Sequence, residues 1–280
     1  MKPASFGWER HLSIGMGPWL SYRTNTFIDF NLKSPYLHKD LLQQLAVENY
    51  IFRQSIYENE LVMLRRWSKE SGLTHMGFGR EKTTYCYFAI ATSSKLPYFS
   101  EIRTLLARSA IIVIVADDFF DFEGSLEDLE NLTEAVRRWD CMNLRGHGKI
   151  IFGALENLVT DIARIYFQQH RKDVMKYLQN MWYQTFFSWM IEARWSKSGY
   201  VPSIDEYLEN AMISVAAHTI TLPPASLMNQ PLPKYMMRCD QYETLTKLLM
   251  VSARLLNDIQ SYEVLDWNLI EKNCWTMKVS

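Results

Sequence analysis

The apolar run Ala110-Ile-Ile-Val-Ile-Val-Ala116 leads directly into Asp117-Asp118-Phe119-Phe120-Asp121. Seven apolar residues are too few to span a bilayer and read as one end of a buried helix. The acid that follows is costly there, because unpaired buried charge costs several kcal/mol or drives its own pKa until it is neutral. Asp117 and Asp121 stand four apart, so on a helix they share one face, one turn above the other. Two hard oxygen ligands facing one way suit Mg²⁺, which takes one or two protein carboxylates and completes its shell with water and phosphate. Taken alone, the five residues read equally well as a solvated acidic helix end.

Working outward, the composition is that of a helical, aromatic-rich core. Apolar residues make up 48% of the 280, while Gly (11) and Pro (9) are scarce. A formal net charge of −1 gives no field that would recruit nucleic acid or an anionic membrane. Cys86, Cys141, Cys239 and Cys274 are widely spaced without a Cys-x-x-Cys pair, which argues against a zinc site or a disulfide framework and for reduced packing residues. The N-terminus shows neither a secretory h-region nor a transit pattern, and the chain reads as soluble.

Hydrophobic periodicity predicts an amphipathic helix, or two broken ones, over 38–67. Further helices are predicted over 79–92, 101–117, 126–139, 148–170, 173–196, 204–220 and 240–263, with no strand hairpin between them. Ser125-x-x-Asp128 has the form of a capping box, Pro202-Ser203 opens another helix, and Pro223-Pro224 is expected to end or break one. Residues 1–36 show no sustained period and read as an irregular arm.

A second polar face lies in Arg254-Leu-Leu-Asn257-Asp258-Ile-Gln-Ser261. Asn257 and Ser261 are four apart, so their oxygens can ligate one hard cation, and Arg254 one turn earlier can grip phosphate with its planar fork of donors. A third cluster, Phe78-Gly79-Arg80-Glu81-Lys82, offers two cations ahead of a helix. Each of these, alone, is also an ordinary solvent-facing pattern.

Together the motifs resemble the class I plant terpene synthases, in particular the kaurene synthase-like diterpene synthases. The likeness runs in order through Arg80-Glu-Lys82 with Cys86-Tyr-Phe88, Asp117 to Asp121, Trp195-Ser-Lys-Ser-Gly-Tyr-Val-Pro202 with Glu206-Tyr207, and Arg254 to Ser261. The resemblance implies an all-α isoprenoid-synthase bundle, incomplete at the C-terminus, with a catalytic metal-binding domain over 37–263, a possible upstream remnant over 1–36 and a divergent tail over 264–280. It implies a Mg²⁺-dependent enzyme (three ions in the family, Mn²⁺ as a substitute) that ionises a C20 prenyl diphosphate of the copalyl type and cyclises the carbocation to a kaurene-like hydrocarbon.

By that likeness Asp117, Asp121, Asn257 and Ser261 bind metal, with Asp118 an orienting group, and Arg80, Lys82 and Arg254 bind diphosphate. Ile220 falls where the family's Ile/Thr choice steers cyclisation. Trp182, Phe186, Trp189 and Tyr207 are candidate π-faces for the cation, though most aromatics are expected to be core, and His218 is expected to be packed or solvent-facing rather than a base. No Asp-x-Asp-Asp motif for protonation-initiated cyclisation is present.

Two departures stand out. The family's second metal motif continues to a glutamate where this chain has Leu265, and the likeness stops after Glu263. These features predict a truncated or mis-spliced product, or a gene model read into an intron, and keep open a non-catalytic paralogue that binds diphosphate or a partner protein. A plastid location follows from the resemblance, without a visible transit peptide.

Overall fold

The computed structural model describes residues 39–78, 82–93, 96–228 and 240–262. Among them the regular structure is helical: α1 (Lys39–Glu70), α2 (Thr83–Ser93), α3 (Ser100–Asp118), α4 (Leu126–Arg138), α5 (Gly146–His170), α6 (Met175–Ser198), α7 (Ile204–Ser214), α8 (Ala217–Ala225) and α9 (Asp240–Tyr262). The arm over 1–36, Arg80, Leu265 and the tail over 264–280 lie outside the described residues.

Compact packing divides the chain into Met1–Tyr57 and Glu58–Ser280. Within the first unit, the opening turns of α1 carry side-chain pairs four residues apart: Gln44 Nε2 donates to Glu48 Oε1 at 2.9 Å, and Arg53 Nε donates to Asn49 Oδ1 at 2.9 Å.

The second unit holds the core. Here α3 is the central element, packing on α2, α5 and α8, while α4 lies along α5 and α6. Its apolar run earns that place: Ile111, Ile112, Val113, Val115 and Ala116 are all buried. The aromatics of α6 close the core from the facing side. Phe120 packs against Phe186 (centroids 5.9 Å apart) and Trp189 (5.6 Å), with Phe186 and Trp189 at 5.1 Å. Trp182, Phe186 and Trp189 are therefore core residues rather than exposed π-faces, as most aromatics were expected to be.

Three sequence expectations change. The helix predicted over 101–117 runs to Asp118 and continues as a π-helical turn over Phe119–Glu123, in which Gly124 N–H donates to Phe119 O at 2.8 Å. Asp118, Phe119 and Phe120 are consecutive and all buried, and a wider turn narrows the arc over which they must point inward. The predicted helix over 204–220 is instead two, because Ala216 is left-handed (φ 54°) and starts a new helix. Pro223 and Pro224, expected to end or break a helix, sit inside α8 near its end, where burial of both rings offsets the missing N–H donors. The two expected N-termini do appear as full capping boxes: Ser125 with Asp128, and Ser203 with Glu206.

A buried charge network ties α1, α2 and α3 together. The Arg103 guanidinium, with no exposed surface, donates from Nε to Glu60 Oε2 at 3.0 Å and from Nη2 to Glu60 Oε1 at 2.5 Å. Tyr87 Oη donates to the same Glu60 Oε2 at 2.7 Å, and Arg103 Nη1 also donates to Leu96 O. Breaking one partner leaves an uncompensated buried charge. Glu60→Ala is expected to lower stability by about 3–5 kcal/mol in urea unfolding, and Glu60→Met with Arg103→Met by less than Glu60→Ala alone.

Candidate metal and diphosphate site

The acidic face forms where α3 gives way to the π turn. In an α-helix, four residues overshoot a full turn by about 40°; the wider π turn takes up that overshoot and keeps the Asp121 carboxyl beside that of Asp117. The paired phenylalanines anchor this turn in the core while Asp117 and Asp121 stay open to solvent and Asp118 is buried at 6% exposure. Gly124 closes the turn where space is tight, since a Cβ there would meet Leu129 Cδ2 at 2.5 Å and Phe119 O at 3.1 Å.

Glu192, on α6 one turn beyond Trp189, completes the cluster. Asn210 Nδ2, from α7, donates to its Oε1 at 3.1 Å. Burial raises the Glu192 carboxyl to about 7, with Asp121 adding to the rise against Arg254 and the hydrogen bonds from Ser214 and Asn210. Asp117 is raised well above the ordinary carboxylate range by the protein packed around it, then by the charges of Asp121, Glu192 and Asp118, with Arg254 opposing.

Opposite stands α9, which packs on α7 and α8. Arg254 Nη2 donates to Asn257 Oδ1 at 2.7 Å and forms a short ion pair with Asp258. Tyr207 Oη, from α7, donates to both Asp258 oxygens at 2.9 and 2.8 Å. Burial opposes the Arg254 charge, but the acidic groups around it, Asp258 with its hydrogen bond and Glu192 among them, outweigh burial and raise the guanidinium pKa. Arg254 Nε is buried and has no acceptor.

These observations test the site against the groups it is expected to hold. Carboxylates that repel one another fit a divalent cation, and a buried guanidinium edge without an acceptor fits an anion. Among the described residues no three His, Cys, Asp or Glu side chains could hold an ion by themselves. Mg²⁺ takes one or two protein carboxylates and leaves most of its positions to water and phosphate.

Of the residues singled out from sequence, Asp117, Asp121, Arg254 and Asn257 come together, with Asp118 beneath. Ser261 lies in the last turn of α9, its side chain outside what the structure describes, as is Arg80. Lys82 stands just before α2, its carbonyl accepting from Cys86 N–H at 2.8 Å. Ile220 sits on α8 just past the left-handed break and packs on the core. Tyr207, read as a possible π-face, donates from its hydroxyl to Asp258. Glu192 and Asp258 were missed as site residues. An acid one turn past the aromatic stripe of α6, and an acid four residues after Arg254, were the available signals.

The chain belongs to the terpene synthase family: residues 69–267 match its metal-binding domain. It is 51% identical to S-linalool synthase of Clarkia breweri over 82% of this chain and 27% of that protein. Identity to (E,E)-geranyllinalool synthase of Arabidopsis thaliana is 47%, over 81% of this chain and 26% of that protein. With chloroplastic ent-kaurene synthase 1 of Stevia rebaudiana it is 35%, over 79% and 29%. Among solved structures, abietadiene synthase from Abies grandis superposes with a TM-score of 0.73 at 35% identity, over 80% of this chain and 30% of that one. Grey poplar isoprene synthase, in complex with three Mg²⁺ ions and dimethylallyl-S-thiolodiphosphate, gives 0.74 at 26% identity, over 85% and 46%. The chain thus spans about a quarter of the length of the first two relatives.

Two outcomes follow from the electrostatics. Asp117→Asn removes a repelled charge, so without divalent metal its melting temperature is expected to rise above that of the parent, while the added stability from Mg²⁺ with pyrophosphate is lost. The second concerns His218, which is buried at 6% exposure, has Nε2 3.2 Å from Thr219 Oγ1 and leaves Nδ1 without a partner. Burial lowers its pKa from 6.5 to about 4. A depressed histidine contributes stability that is full above the unfolded pKa and falls as pH drops from about 6.5 to 4, by at most about 3 kcal/mol. His218→Gln is expected to flatten that part of the stability profile, measured by urea unfolding across the window.

Proposed function

We propose that this domain binds the diphosphate of an acyclic prenyl diphosphate, promotes heterolysis of its allylic C–O bond and lets water capture the cation as a tertiary alcohol. The observation that carries the binding and ionisation is the meeting of the Asp117, Asp121 and Glu192 carboxylates with the Arg254 guanidinium and the Asn257 amide in one cluster. Asp117 and Asp121 would hold divalent metal on one side, and Asn257 with Ser261 on the other. When bound, the metal supplies Lewis-acid stabilisation of the charge that develops on the leaving diphosphate. Arg254 donates to that same diphosphate through Nη1, the nitrogen that neither Asp258 nor Asn257 engages. Asp118 and Glu192 orient the acidic face from beneath and beside it, and Arg80 and Lys82 add cations for the leaving group.

In this step the C–O electron pair leaves with diphosphate. Water then adds its oxygen to the tertiary allylic carbon and gives up a proton. The alcohol outcome is supported by the linalool and geranyllinalool synthases, at 51% and 47% identity against 35% for the kaurene synthase. By the same likeness the ions are Mg²⁺, three in number as in the isoprene synthase complex, with Mn²⁺ as a substitute. The catalytic segment is 37–263, and the location is the plastid named for the kaurene relative.

A second reading is cyclisation of copalyl diphosphate to a kaurene-like hydrocarbon in diterpenoid metabolism. It is favoured by Ile220, seated just past the left-handed Ala216 where the product-steering position of such enzymes falls.

Purified protein with Mg²⁺ and geranyl, geranylgeranyl or copalyl diphosphate, analysed by gas chromatography with mass detection in ¹⁸O-water, separates the readings. An ¹⁸O-labelled acyclic alcohol from one of the first two is expected, falling at least about 100-fold in kcat/KM with Asp117→Ala. A polycyclic hydrocarbon from copalyl diphosphate would establish the second reading. Diphosphate binding without turnover would establish a non-catalytic paralogue.

A further inference from the structure

The geometry points to Tyr207 and Asp258 as positioning residues for the Arg254 guanidinium, an inference that rests on the diphosphate reading above. Arg254 and Asp258 lie on one face of α9, four residues apart, so the carboxylate and the guanidinium meet within the helix. Such a pair on an isolated helix would hold neither side chain in one rotamer against the entropy of two long, mobile groups. Here a third group intervenes from another element. The Tyr207 hydroxyl, carried by α7, donates to both Asp258 oxygens at 2.9 and 2.8 Å and fixes that carboxylate across the α7 and α9 packing. Side-chain exposures of 18% for Arg254 and 22% for Asp258 leave the contact largely out of water, where a charge-assisted bond is not screened away.

The arrangement has a direction. Arg254 Nη2 is occupied by Asp258 and by Asn257 Oδ1, which leaves the outer nitrogen Nη1, along with the buried Nε, without an acceptor. The clamp therefore grips the guanidinium by one corner and presents the other donors to an anion. The Asp258 carboxylate thus accepts from Tyr207 and from Arg254 together, which links the phenol to the guanidinium. A guanidinium whose orientation is set before the ligand arrives loses less freedom on binding a diphosphate than one that must be ordered by it.

A positioning role differs from a simple staple between α7 and α9 in one measurable respect: it acts only through Arg254. Isothermal titration calorimetry of the full chain with inorganic pyrophosphate and Mg²⁺ reads this in a double-mutant cycle of Tyr207→Phe and Arg254→Ala. Tyr207→Phe is expected to weaken pyrophosphate about tenfold when Arg254 is present and less than about twofold when it is replaced. Asp258→Asn, which keeps the side chain's size, is expected to repeat the pattern. Equal weakening by Tyr207→Phe in both backgrounds would overturn the positioning role in favour of a staple. Loss with Arg254→Ala but a change under twofold with Tyr207→Phe would overturn it while leaving the diphosphate reading intact, and no change with either variant would overturn both.

Discussion

Like charge drawn together at one edge of a helical core is the constraint around which this domain is arranged. Asp117, Asp121 and Glu192 come from two elements, α3 with its π turn and α6, and each raises the cost of ionising its neighbours. A fold selected for stability alone would separate them or neutralise them with apolar substitutions. The core instead holds them in place: Phe119 and Phe120 are driven inward beside Asp117 and Asp121, and Trp189 fixes the helix one turn before Glu192. Here unfavourable charge proximity is maintained by favourable packing, an arrangement more common at functional sites than in a core built for stability alone.

The opposite face follows another logic. Arg254 is surrounded by acceptors rather than by like charge, and the tyrosine that reaches Asp258 comes from α7, which also supplies Asn210 to Glu192. One short helix thus supports both sides of the site. Its position depends in turn on the break at Ala216, because a continuous helix over 204–220 would carry α8 away from its packing on α3 and α6. The Thr185 and Thr219 hydroxyls, 2.7 Å apart and fully buried, fasten α8 to α6 at that point.

Most helices were legible because their apolar residues recur at the helical period and their ends carry local signals; Ser125 with Asp128 is complete within four residues. The carboxylate pair Asp117 and Asp121, and Arg254 with Asn257, were legible for the same reason, each lying within about one turn. What escaped was whatever needed a partner from elsewhere. Trp182, Phe186 and Trp189 offer the same rings to a cation or to a core, and the choice was made by Phe120 and the packing of α6. Tyr207 reads as a candidate π-face, and only the fold shows that its hydroxyl donates a hydrogen bond to Asp258, 51 residues on.

By itself, then, the sequence determined an all-helical chain of the terpene synthase family, the acidic and polar motifs and their one-turn spacing, since periodicity, capping and i to i+4 contacts are local properties of the chain. Only the tertiary structure decided that the acidic segment widens into a π turn, that the helix over 204–220 divides, that Glu192 lies beside the aspartates, and that Tyr207 is bonded to Asp258. Each of those outcomes depends on burial or on hydrogen bonds between residues far apart in sequence, and such energies exist only once the helices have packed.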